Sequence, residues 1–69
     1  MKIKVNGEEK QVESNKKEIS LNEAIEILGY SNKNVVVELN NLIVNSEIWD
    51  QKNLEEGDKL EIVSIVGGG

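Results

Sequence analysis

Residues 2–6, Lys-Ile-Lys-Val-Asn, alternate polar and apolar, the period-two pattern of a half-buried strand with Ile3 and Val5 turned inward. Asn6-Gly7 follows, a strong hairpin signal because both residue types tolerate positive φ. A second, more polar strand is expected over 9–13 with Val12 inward, then a solvated loop over 14–18. The period then changes. Ser20-Leu21-Asn22-Glu23 matches a capping box, a serine N-cap with a glutamate three residues on. Leu21, Ala24, Ile25 and Leu28 fall at i, i+3, i+4 and i+7, one apolar helical face, with Glu23 and Glu26 off it. Gly29 is placed to take the left-handed conformation that ends a helix. A helix of ~12 Å is too short to stand alone, so it must lie across a sheet.

Val35-Val36-Val37-Glu38-Leu39 is the most β-prone run, with Val35, Val37 and Leu39 inward because Glu38 must face water. Asn40-Asn41 predicts a turn, Ile43-Val44 a short strand, and Ser46 to Asp50 a capped single helical turn. Glu56-Gly57-Asp58 is a tight turn before a last strand over 59–66 with Leu60 and Ile62 inward. The order is β-β-α-β-β-short helix-β, without repeats or linkers. The helix crosses over from the opening hairpin, which allows the next strand to join in parallel. This predicts a two-layer α+β domain: a mixed sheet of about five strands with one helix on one face.

Composition removes several chemistries. The 69 residues make one small domain with a thin core. With no cysteine and no histidine, there is no disulfide, no thiolate metal site and no histidine chemistry. No metal site and no catalytic residue is assigned. The net charge of −5, from 13 acidic and 8 basic residues, argues against nucleic acid as a partner. It either favours a basic groove on a partner protein or merely keeps the chain soluble. No apolar stretch approaches the ~20 residues that span a bilayer, and Met1 leads straight into a strand rather than a leader. A cytoplasmic location fits, and nothing demands a homo-oligomer.

The chain ends in Gly67-Gly68-Gly69, directly after the apolar run 60–66. One reading is a frayed end. The other is a thin flexible arm, since glycine backbone passes where no other residue fits, able to thread another protein's active site and react there.

The element order, running into terminal glycines, resembles the β-grasp or ubiquitin-like fold. More narrowly it resembles the ThiS family, the sulfur carrier proteins of thiamine biosynthesis. The residues that carry the likeness are Met1-Lys2-Ile3, Val5-Asn6-Gly7, Val37-Glu38-Leu39-Asn40, Ile43-Val44, Trp49, Glu56-Gly57-Asp58, Glu61-Ile62-Val63 and Val66-Gly67-Gly68-Gly69. They span nearly the whole chain. The molybdopterin synthase small subunit shares the fold and the glycine end. It usually runs longer and often carries proline before the tail, and this chain has no proline.

The resemblance implies a β-grasp domain over 1–66 and a flexible glycine tail over 67–69. It implies that a ubiquitin-activating-type adenylyltransferase uses ATP to adenylate the Gly69 carboxylate. Sulfur from a cysteine desulfurase or rhodanese-type source then replaces AMP, and the Gly69 thiocarboxylate supplies thiazole synthase. The chain itself would be a protein-bound reagent with no bound cofactor. A carrier for molybdopterin, a modifier joined to lysine through Gly69, and a plain interaction module are the rivals.

Gly67 and Gly68 would offer minimal cross-section in a water-excluding site, but each fixed glycine loses ~1–2 kcal/mol of backbone freedom. Affinity must then come from the folded body. With Leu60 and Ile62 inward, Glu61, Val63 and Ile65 fall on the outer sheet face, and Val36 points the same way in the neighbouring strand. Val63, Ile65 and Val36 form the candidate docking surface; the plainer reading is β-formers packed under a loop. Glu8-Glu9 and Glu55-Glu56 read as solvated turns rather than acid–base or metal sites. Trp49 reads as a core or rim plug, and Tyr30 as cover for the core edge.

Overall fold

The computed structural model describes residues 1–31 and 33–65. Strand β1 (Lys2–Val5) turns through Asn6 and Gly7 into β2 (Glu8–Gln11). Both turn residues have positive φ, 51° and 84°, as a two-residue hairpin requires. Helix α1 (Leu21–Ile27) follows, then β3 (Val35–Leu39), β4 (Leu42–Ile43), a 3₁₀ turn (Ser46–Ile48) and β5 (Lys59–Ser64). The Asn40-Asn41 turn between β3 and β4 repeats the device with φ of 51° and 73°.

The five strands form one mixed sheet in the order β2-β1-β5-β3-β4. Strand β5 occupies the centre, parallel to β1 and antiparallel to β3. The expected parallel joining of the strand after the helix is therefore corrected. Strand β3 runs in the direction of β2, but β1 and β5 lie between them, and the parallel pair is β1 with β5. The last strand takes the central place, where Leu60 and Ile62 are buried under the helix-side layer.

Helix α1 starts where the capping box places it. The Ser20 hydroxyl accepts from the Glu23 amide at 3.1 Å. The reciprocal half is absent, because Glu23 instead accepts from the Ser14 hydroxyl at 2.9 Å and so ties down the 14–18 loop. The first two helical amides, Leu21 and Asn22, donate to the carbonyls of Lys52 and Trp49. Thus the orphan donors of the helix start are satisfied by tertiary partners. At the other end Gly29, with φ of 89°, donates to Glu26, and Tyr30 donates to Ile25. These two bonds make a Schellman motif.

Ile3, Val5, Val12, Leu21, Ala24, Ile25, Val37, Leu39, Leu60 and Ile62 are buried together, the inward assignments expected from the alternation. Val12 lies just past β2 and holds its place through its amide on the Met1 carbonyl. Trp49 is a core residue, and its indole N–H donates to the Val44 carbonyl at 3.0 Å. Tyr30 packs half-buried against the core. The short strand sits one residue earlier than expected, at Leu42–Ile43, and the 3₁₀ turn is capped by Asn45. Glu8 and Glu9 lie in the exposed edge strand β2 rather than in a turn, because strand pairing starts immediately after Gly7.

Among the described residues, no helix is long and apolar enough to cross a membrane. Among the same residues, no group of three histidines, cysteines or carboxylates is placed to hold a metal ion.

Candidate functional site

The site is built on the last strand. Strand β5 pairs with β3 from Leu60 to Ser64 and with β1 at Lys59 and Leu60, so its start is held by two ladders. Alternation turns Leu60 and Ile62 into the core and leaves Glu61 and Val63 on the opposite face. Val63 is 58% exposed and stands directly opposite Val36, which is 36% exposed. Ile65 is 54% exposed, and its amide donates to the Asn34 carbonyl at 2.7 Å, which extends the strand pairing by one residue. The three residues expected to form a docking surface therefore share one solvent-facing patch at the end of the sheet that β5 leaves. Among the described residues, no loop covers them.

Val66, the last residue of the expected strand, lies outside the described residues, as do Gly67, Gly68 and Gly69.

Asn6 contributes more than the hairpin signal. Its side-chain amide donates to the Ile62 carbonyl at 3.1 Å, and its carbonyl accepts from the Ile62 amide at 2.7 Å. The same amide lies 3.4 Å from the Tyr30 hydroxyl. Strand β1 turns away after Val5, so β5 would lose its parallel partner there. The Asn6 side chain substitutes for the missing backbone and pairs both polar groups of Ile62. The strand that leads to the glycine end is thus held at Ile62, two residues further along than Leu60, where the β1 ladder itself ends.

A second lock secures the entry to β5. Asn40 exchanges bonds with Lys59 and donates to the Asp58 carboxylate at 3.1 Å. The other Asp58 oxygen accepts from the Glu55 amide at 2.7 Å. The Glu56 carboxylate accepts from the Lys2 amide at 3.1 Å, a structural role for one member of the Glu55-Glu56 pair. Position Asn6 was the functional neighbour that sequence reasoning missed. Its hairpin role already explained the residue, and its bonds to Ile62 join positions 56 apart.

A mixed sheet grasping one helix, with an apolar patch on the strand that leads into a glycine end, defines a ubiquitin-like β-grasp domain. The chain belongs to the ThiS family, whose model matches residues 3–69. A crystal structure of a thiamine biosynthesis protein (ThiS) from Geobacter metallireducens superposes with a TM-score of 0.81 at 28% identity, each chain covered completely. An NMR solution structure of a thiamine biosynthesis protein from the same organism gives a TM-score of 0.79 over all of this chain and 88% of that one. An uncharacterized ycf40 protein of Pyropia yezoensis is 36% identical over 97% of this chain and 90% of its own length. A thiazole synthase of Paramagnetospirillum magneticum is 36% identical over the whole of this chain, which corresponds to 20% of that larger protein.

Proposed function

We propose that this chain is a sulfur carrier for thiazole formation in thiamine biosynthesis, acting through the carboxylate of Gly69. The observation that carries the reading is the ThiS family match, which runs through the fold and on to Gly69. The likeness to a thiamine biosynthesis protein and to a stretch of a thiazole synthase supports the same pathway.

The chemistry follows from what a carboxylate lacks. Its carbon is a poor electrophile, because a nucleophile would have to expel oxide. A ubiquitin-activating-type partner uses ATP to convert the Gly69 carboxylate to an acyl adenylate, releasing pyrophosphate. The persulfide sulfur of a cysteine desulfurase or rhodanese-type donor then attacks that carbon, AMP leaves, and a thiol reductant cleaves the resulting acyl disulfide. The product is a Gly69 thiocarboxylate that thiazole synthase draws on. Water would hydrolyse the adenylate, so the partner's site must be closed, and Gly67 and Gly68 suit a narrow entry. Val36, Val63 and Ile65 dock the folded body while the tail reaches in. The chain is a reagent rather than a catalyst, works as a monomer in the cytoplasm and holds no cofactor of its own.

The test is a variant with one residue appended after Gly69. Sulfur loading at Gly69 should be lost while binding to the adenylating partner persists. Sulfur transfer undiminished by the extension would remove the carrier reading.

A further inference from the structure

The register of β3 against β5 sets two carboxylates side by side. Glu38 stands directly opposite Glu61 on the outer face of the sheet, and Ile43 of β4 stands opposite Glu38 on its other side. The next pair along is Val36 with Val63, followed by Ile65. Glu38 and Glu61 are both half-buried, whereas Ile43 is 72% exposed. Residues directly opposite in an antiparallel pair hold their Cβ atoms about 4.5–5.5 Å apart, and like charges so placed repel.

No ion pair or side-chain hydrogen bond among the described residues joins either carboxylate to a partner. The ion pair found among them joins Lys16 to Glu23, far along the chain, and no side-chain hydrogen bond reaches either Glu38 or Glu61. The nearest basic side chains in the sheet register are Lys4 and Lys59, themselves neighbours of each other, and the Lys59 ammonium turns to Asn41 at 3.4 Å. A patch of exposed aliphatic residues bordered by a carboxylate pair with no ion-pair partner is poorly arranged for an isolated domain. It is well arranged for a complementary surface.

We propose that this face receives a guanidinium from the adenylating partner, seated between Glu38 and Glu61 and ringed by apolar groups that cover Ile43, Val36, Val63 and Ile65. This rests on the sulfur-carrier reading for the partner's identity. An arginine fits better than a lysine, because its rigid fork can donate to two carboxylates at once. Partner binding would exclude water from the ring and neutralise the pair. The contact lies on the two strands whose pairing continues to Ile65, and so it fixes the body while the following residues extend toward the partner's reaction centre.

The experiment measures the affinity of the full chain for the adenylating enzyme by calorimetry, beside the melting temperature of each chain. The chains are the parent, Glu38→Gln, Glu61→Gln, the double variant and Val63→Lys. Each single glutamine change should weaken binding by about ten- to a hundredfold, the range a charge-assisted hydrogen bond carries. It should also reduce the sensitivity of binding to salt, while the melting temperature holds or rises. The double variant should lose less than the product of the two singles, because both carboxylates serve one cation. Unchanged affinity in both glutamine variants would overturn the proposal, as would a parent chain that does not bind. Loss of affinity matched by a fall in melting temperature would also overturn it, since that marks a structural role. If the parent binds and the glutamine variants bind weakly, yet no sulfur reaches Gly69, the docking contact stands and the carrier reading fails.

Discussion

Replacing Asn6 should damage this fold more than any exposed turn residue ordinarily does. Asn6→Ala removes the donor to the Ile62 carbonyl at 3.1 Å and the acceptor for the Ile62 amide at 2.7 Å. Ile62 is buried, so its two backbone groups lose their partners where water has poor access. An orphaned buried polar group costs about 1–3 kcal/mol, so the pair accounts for roughly 2–4 kcal/mol if water recovers part of the loss. Asn6 also sits at φ of 51°, and a residue with a Cβ but no local hydrogen bond costs about 1–2 kcal/mol there. The expected loss for Asn6→Ala is therefore about 3–6 kcal/mol. Domains of this size hold only about 3–10 kcal/mol in total, so the alanine variant should be partly unfolded at room temperature. Asn6→Gly relieves the backbone term and keeps the hydrogen-bond loss, so it should recover about 1–2 kcal/mol relative to alanine. Urea unfolding of the three chains measures both quantities, and amide exchange at Ile62 reports the lock itself. An Asn6→Gly variant within about 0.5 kcal/mol of the parent, with Ile62 still protected, would refute the reasoning.

Val63→Lys or Ile65→Lys should leave thermal unfolding nearly unchanged and weaken binding to the adenylating enzyme; unfolding of either variant would contradict the outward assignment. Ser20→Ala should cost about 1 kcal/mol in urea unfolding through the lost bond to the Glu23 amide, and an unchanged midpoint would show that the cap is idle. Trp49→Phe should cost about 1–3 kcal/mol, since the Val44 carbonyl loses its 3.0 Å donor and a smaller ring leaves space in the core. Chemical denaturation would measure it, and a loss below about 0.5 kcal/mol would place the indole outside the cooperative core.

Elements set by local chemistry were legible in the sequence. The helix could be read because the Ser20 cap, the apolar spacing from Leu21 to Leu28 and Gly29 all agree, and the structure keeps all three. The inward and outward faces of β5 could be read because a single buried glutamate would be costly, so alternation had one solution. What escaped depends on partners distant in sequence. The central place of β5 beside β1 brings together residues 55 apart, Lys4 with Lys59, and no local pattern encodes that choice. Glu23 reaches Ser14 instead of closing its capping box because the folded loop offers a competing hydroxyl. Glu38 was legible as outward-facing, but its position opposite Glu61 needed the register of two strands. The candidate docking residues Val36, Val63 and Ile65 were visible from period two alone, whereas Asn6 hid its second role behind an ordinary hairpin signal.

The central claim is that Gly69 carries sulfur, and intact mass tests it most directly. The full chain would be incubated with a ubiquitin-activating-type adenylating enzyme, ATP and a sulfur donor, then fragmented to locate any change. A carrier gains the mass of one sulfur in place of one oxygen, confined to Gly69 and dependent on ATP. An unchanged mass with an active, matched enzyme would contradict the claim and leave the β-grasp body as a binding module.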